Sequence, residues 1–165
     1  MAVHTNERSN KMTGPIVPNI WFNRSAEEAV EYYMSVFENS RIINKEYYPS
    51  EDTALLDFQK DFAGKVLTID FELNGQKFVA INAGPEFTLS EAVSFMIPCK
   101  DQSEIDYYWE KLSSVPEAEQ CGWCKDKFGL SWQIVPADFD KLLKIPGNYE
   151  IMMDQHKIII AEYNQ

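Results

Sequence analysis

KVLTIDFELNGQKFVAIN, residues 65–82, decides how this chain folds. Leu67, Ile69, Phe71 and Leu73 alternate with Thr68, Asp70 and Glu72, the period-two pattern of a strand with one covered face. Asn74-Gly75 follows at once, and this dipeptide supplies the two positive φ angles of a type I′ turn. Gln76 to Asn82 is therefore expected to return antiparallel as the second arm of a hairpin, closed by Ala83-Gly84-Pro85.

Upstream, Ile16 to Asn23 reads as a strand, and Ser25 with Glu28 forms a capping-box signature. Ala26, Ala29, Val30, Tyr33, Met34 and Phe37 then recur at helical spacing, so the helix lays one apolar face on a sheet. Arg41 to Tyr48 is a further strand. Downstream the order repeats: a strand from Glu91 to Cys99, a helix announced by Asp101 and Glu104 with the stripe Ile105, Tyr108, Trp109 and Leu112, then strands around Gln120 to Lys125 and Leu130 to Val135. Strand, helix and several antiparallel strands thus occur twice, a repeat carried by element order and not by residue identity.

After Pro136, a short helix is expected over Ala137 to Ile145 and a last one over Glu150 to Tyr163. Ile151, Met152, Met153 and Ile158 to Ile160 are too apolar for water and are expected to cover a surface of this chain or of a second subunit. The expected organisation is a loose tail over 1–13, one α+β domain over 14–136, and a helical extension over 137–165.

Composition narrows the function. With 15 Lys and Arg against 26 Asp and Glu, the formal charge of −11 repels phosphate backbones and anionic lipid, so neither nucleic acid nor a membrane surface is an expected partner. Residues 1–10 are polar and lack the apolar centre of a secretory signal, which points to the cytoplasm. The odd cysteine count, Cys99, Cys121 and Cys124, favours reduced thiols.

IWFNRSAEEAVEYYMSVFENSRI, GKVLTIDFELNGQKFVAINAGPEF, EAVSFMIPCKDQSEIDYYWEKL and EQCGWCKDKFGLSWQIVP together cover most of Ile16 to Pro136. In these stretches the chain resembles the PhnB-like, or 3-demethylubiquinone 3-methyltransferase-like, family within the glyoxalase/bleomycin-resistance (vicinal oxygen chelate) superfamily. The resemblance implies paired βαβββ modules forming a cupped mixed sheet around a pocket, with helices on the outer face, in a homodimer. In metal-dependent members of that superfamily, histidines and glutamates from three strands hold a divalent cation. Aligning helix starts and the Asp126 to Gly129 turn puts those positions on Pro18, Ser94 and Gln133, none a good ligand, so no metal and no cofactor is expected. His4 and His156 lie in terminal segments. Methyl transfer of the common doubly wound type needs a glycine-rich turn after an early strand, where this chain has Trp21-Phe22-Asn23-Arg24.

If Gln133 faces the cup, strand alternation turns Ser131 and Val135 the same way and Trp132 under the helices. The same logic places Ser94 and Met96 on the pocket face, together with Pro18, Ile20 and Phe22. Asn82 is expected to add an amide, and Trp123 a flat wall near the mouth. Ile20, Phe22, Asn82, Ser94, Met96, Trp123 and Gln133 are therefore the candidate ligand-binding residues, an apolar pocket with a few neutral hydrogen-bonding groups. Asp70 and Cys121 are the candidate catalytic groups. Cys121-Gly122-Trp123-Cys124 has redox-motif spacing but sits in strand-forming sequence, away from a helix N-terminus that would activate a thiol. The reading that follows is metal-free binding of a small, largely apolar organic molecule; a metal-free enzyme of the same fold and a dimeric scaffold with a filled cup are the alternatives.

Overall fold

The computed structural model describes residues 14–51 and 55–165; the tail expected over 1–13 lies outside the described residues. The first sheet comes from β1 (Asn19–Asn23), β2 (Ser40–Tyr47), β3 (Val66–Leu73) and β4 (Gln76–Ala83), with α1 (Ala26–Val36) crossing from β1 to β2. Its order is β1-β4-β3-β2, with β1 parallel to β4 and the other pairs antiparallel. The second sheet comes from β5 (Ser94–Cys99), β6 (Trp123–Lys125) and β7 (Ser131–Pro136), ordered β5-β7-β6, with α2 (Gln102–Leu112) following β5. Where the first module has its edge strand β2, the second has a 3-10 turn at Pro116–Ala118, so this sheet has three strands to the first one's four. Two short helices, α3 (Phe139–Leu142) and α4 (Asn148–Asp154), follow. Among the described residues no helix is long and apolar enough to cross a membrane.

The hairpin forms as its sequence dictates. Asn74 and Gly75 take φ of 47° and 85°, Leu73 faces Gln76, and Phe71 stacks on Phe78 at 5.4 Å. Ile69, Phe71 and Leu73 lie buried beneath α1, whose Ala26, Ala29, Val30, Tyr33 and Val36 are buried against them.

The two helices start differently. Asp101 caps α2 by accepting from the Glu104 amide at 3.0 Å, while a Glu104 carboxylate oxygen accepts from the Lys100 amide at 2.8 Å. The capping box expected of Ser25 and Glu28 does not form. Arg24 sits at φ 60°, Ser25 makes no side-chain cap, and the Ala26 amide donates instead to Asn82 Oδ1 at 3.4 Å.

The helix-bearing faces of both sheets turn onto one shared core. Tyr33 of α1 lies against Phe71 of its own sheet and edge-on to Trp132 of β7 at 5.7 Å; Phe37 meets both Trp132 and Tyr108, and Phe78 meets Phe95. At the centre is Asp126, 1% exposed. Its Oδ2 accepts from Tyr33 Oη and Trp132 Nε1, each at 2.8 Å, and its Oδ1 from the amides of Phe128 and Leu130 at 2.9 and 3.0 Å. A buried carboxylate is tolerable only when so fully bonded. Since the covered faces point inward, the open faces of the two sheets point away from each other.

The C-terminal segment departs from expectation. The last helix ends at Asp154 instead of running to Tyr163. Gln155 and His156 carbonyls accept from the Cys121 and Gly122 amides at 2.8 and 2.7 Å, and Ile158 and Ile160 are bonded through their backbones to the Gln102 side chain of α2. Three consecutive β-branched isoleucines suit this extended path better than a helix. Ile158 is fully buried in the core, so the segment covers its own chain.

Burial raises the Asp126 carboxyl above the ordinary aspartate range, against the pull of its four donors. The folded state then holds its proton more tightly than the unfolded one, so this group's contribution to stability is greatest below the unfolded value near pH ~4 and is lost as pH rises through the folded value. Asp126→Asn abolishes that dependence and turns an amide donor toward the Trp132 N–H, which cannot accept, at a cost of about 1–3 kcal/mol. Urea unfolding from pH 3.5 to 8 should show the wild-type advantage over the variant shrinking as pH rises.

Candidate functional site

The open face of the second sheet is built in rows. Register pairs Ser94 of β5 with Ser131 of β7 and Met96 with Gln133, while Trp123 and Lys125 of β6 face Gln133 and Ser131. The opposite set, Phe95, Ile97, Cys99, Cys124, Trp132 and Ile134, belongs to the covered core. Four of the expected pocket residues, Ser94, Met96, Trp123 and Gln133, therefore share one face. Three of these four, all but Ser94, line a cavity of about 570 Å³, walled by Phe139 and Leu143 from the α3 region and Met152 and Met153 from α4. Its size suits a small organic ligand. Gln133 Nε2 donates to Ser94 Oγ at 2.7 Å, which fixes the amide and leaves its carbonyl oxygen free.

Ile20, Phe22 and Asn82 are not on an open face. They lie 5%, 2% and 7% exposed on the α1 side of the first sheet, where the β1–β4 pairing sets Phe22 beside Asn82 and Ile20 beside Ala80. Asn82 is spent on the fold: its Nδ2 donates to the Val66 carbonyl and its Oδ1 accepts from Ala26. The reason is one residue. Asn23 and Arg24 separate the covered Phe22 from the helix start at Ser25, whereas only Lys100 separates the covered Cys99 from Asp101. Aligning helix starts is therefore one residue out along β1, and a one-residue slip exchanges the faces of a strand.

The open face of the first sheet carries Trp21, Leu67 and Ile81 instead, under a roof of Phe58, Phe62 and Phe87, around a cavity of about 360 Å³. Trp21 is fixed there by its indole N–H donating to the Gly84 carbonyl at 2.9 Å and by Phe87 edge-on at 4.8 Å. Sequence alternation held the signal for Trp21 and Ile81, which are register partners; Phe58 and Phe62 come from a 3-10 helix at Asp57–Phe62 and Phe87 from a loop, where strand alternation says nothing. A further cavity of about 520 Å³ opens between the modules beside Tyr108, Asn74 and Phe95, lined partly by core residues and partly by exposed ones such as Asn74, Gln76 and Met96.

Asp70 is half-buried on the open face of the first sheet, between Asn44 and Val79, and lines none of these three cavities. Cys121 lies not in a strand but in a tight turn, at φ 52° beside Gly122 at φ 83°, with reciprocal Gln120 and Trp123 backbone bonds. A Cβ on Gly122 would stand 3.0 Å from both the Ile134 carbonyl oxygen and Ile158, so the position requires glycine twice over. The half-buried Cys121 thiol reaches the rim of the larger cavity, 3.7 Å from Met153 Sδ. Cys124 is buried on the covered face, so the motif's two thiols belong to different environments.

The positions that the resemblance assigns to a cation carry side chains unsuited to one. Counted from the covered residues Phe22 and Cys99, the position equivalent to Ser94 is Val17 and not Pro18. Valine has no donor atom, and a serine bonded to a glutamine makes a poor seat for a divalent ion. Among the described residues no three His, Cys, Asp or Glu side chains converge, and His156 pairs with Glu119 at 3.7 Å.

The model of one family, described as 3-demethylubiquinone-9 3-methyltransferase, matches residues 14–135. The chain belongs to that family. A solved structure from Bacillus cereus, described as a putative 3-demethylubiquinone-9 3-methyltransferase, PhnB protein, is 30% identical, with 74% of this chain and 99% of that chain covered and a TM-score of 0.58. A protein from Staphylococcus aureus is also 30% identical over 74% of this chain and 97% of that one, with a TM-score of 0.32. A protein from Pseudomonas aeruginosa, 14% identical over 75% of this chain and 98% of that one, has a TM-score of 0.51 and shares the fold. No curated protein matches. The helices that wall the 570 Å³ cavity lie beyond the stretch that the PhnB-like family model covers.

Burial pushes the Cys99 and Cys124 thiols up to about 12, so neither forms appreciable thiolate at neutral pH. Titration of the folded protein with a thiol-reactive disulfide at pH 7.5 should count a single cysteine, and Cys121→Ser should reduce that count to zero, while all three of the wild-type thiols react in denaturant.

Proposed function

We propose that this chain binds a small, largely apolar organic molecule without a metal ion, in the cytoplasm, in a cup built from the open sheet faces of two copies. The supporting observation is the 570 Å³ cavity: a largely apolar floor and wall, one oriented neutral amide in Gln133, the exposed Asp140 carboxylate among its lining residues paired with Lys144, and the chain's own C-terminal extension closing one side. The two open faces of one chain point apart, so each cavity has a side that only another surface closes. A homodimer that sets the Trp21 face of one copy over the Trp123 face of the other completes such a cup, in keeping with the cupped sheet of the vicinal oxygen chelate superfamily.

Methyl transfer, the activity in the family's description, is not the reading we favour. The β1–α1 junction that would cradle a nucleoside carries Asn23 and Arg24, and Arg24 is engaged with Asp61 at 3.3 Å and with the Phe62 ring. An enzymatic reading draws on the Cys121 thiol at the cavity rim. It predicts turnover that vanishes in Cys121→Ser while ligand binding persists.

Thermal-shift screening with planar aromatic and medium-chain aliphatic compounds should raise the melting temperature for at least one class. Trp123→Ala should cut that affinity roughly tenfold or more through lost apolar contact. Light scattering should give twice the 19.1 kDa chain mass. Absence of any hit across both classes would replace the binding reading with that of a dimeric scaffold.

A further inference from the structure

One end of the open face of the second sheet is polar, and it holds a hydroxyl with nothing to bond. Ser94, Ser131 and Lys125 stand side by side across β5, β7 and β6, one row away from the cavity floor of Met96, Gln133 and Trp123. Ser131 is 1% exposed and its Oγ has no partner. Buried hydroxyls are almost always bonded, because leaving one unpaired forfeits the water it gave up. The register neighbour of Ser131, Lys125, is held in an ion pair. Lys125 on β6 pairs with Glu91, three residues before β5, so the pair spans β7, the strand that carries Ser131. Ser94 accepts from Gln133 and keeps its own proton to donate.

Two hydroxyls with protons to donate and an ammonium group thus share one row, and of the three only the ammonium has a carboxylate partner, Glu91. We propose that this row is a carboxylate head-group site, and that the cavity's ligand is an apolar organic monocarboxylic acid. Its tail lies over Trp123 and Met96, and its carboxylate displaces Glu91 from Lys125 and accepts from Ser131 and Ser94 as well. The inference rests on the cavity reading above and adds the ligand's class to it. Rows two residues apart along a strand are separated by about 7 Å, a span that a carboxylate and a short stretch of carbon skeleton cover. Glu91 stays on the chain when displaced, so binding adds one negative charge to a chain of net charge −11, and it is the direct pairing with Lys125 and the two hydroxyl donors that offset this. Glu91, already 56% exposed, returns to water.

The test is calorimetric titration with octanoate and 2-naphthoate, beside their methyl esters, on the wild type and on Glu91→Gln, Lys125→Met and Ser131→Ala. The ratio of acid to ester affinity should rise about tenfold in Glu91→Gln, which frees Lys125, and fall at least about tenfold in Lys125→Met. Ser131→Ala should lower the same ratio severalfold without lowering the melting temperature, because the deleted hydroxyl had no partner to lose; a drop in melting temperature with an unchanged ratio would mark Ser131 as structural and overturn the assignment. Ratios indifferent to Glu91 and Lys125, or esters that bind while acids do not, overturn the carboxylate site and leave the cavity reading standing. Failure of acids and esters alike to bind any of the four proteins overturns both.

Discussion

The carboxylate of Asp126 accepts four hydrogen bonds inside the core, and one of them comes from the other module. Tyr33 on α1 donates to it across the junction while Trp132 and two turn amides hold it from its own side. An ionisable group at 1% exposure is unfavourable unless its lone pairs are filled, so the aromatic groups that surround it are constrained to bring their donors there. That constraint sets α1 against β7 and thereby fixes how the two sheets face each other.

Everything about the candidate site follows from that arrangement. With both helix-bearing faces committed to one core, each sheet keeps one face for other purposes, and the two available faces have different chemistry. The first is aromatic, with Trp21 held by Gly84 and Phe87. The second is graded, from the thioethers and phenyl ring contributed by the extension, through Gln133, to the hydroxyl and ammonium row at Ser131 and Lys125. The extension matters because α3 and α4 lie outside the stretch that the family model matches yet wall the larger cavity, so the shape of that cavity depends partly on residues beyond that stretch.

Much of the fold was legible because it rests on short-range rules. Alternation in β3 from Thr68 to Leu73, the Asn74-Gly75 turn and the Asp101 cap are local, and the structure has them where the residues say; Leu67, expected on the covered face, falls on the open one because the β2–β3 register shifts there. The second sheet's open face was legible for the same reason, since alternation from Gln133 needs no distant information. The first sheet's face was not. Arg24 in the left-handed region adds a residue between β1 and α1, and no propensity distinguishes that from an ordinary cap at Ser25. The path of Ile158 to Ile160 was hidden likewise, because an apolar run shows that it will be buried and not what will bury it.

The amino-acid sequence by itself determined the hairpin, the order of the strands and of the two main helices, and their repeat, because each depends on neighbours within a few residues. Which strand faces are open, the placement of Cys121 in a strained turn at a cavity rim, and the meeting of Ser131, Lys125 and Glu91 were decided only by tertiary structure. Those features depend on register and on contacts between residues far apart in the chain, and a shift of one position in a strand exchanges inside for outside at no cost that local sequence records.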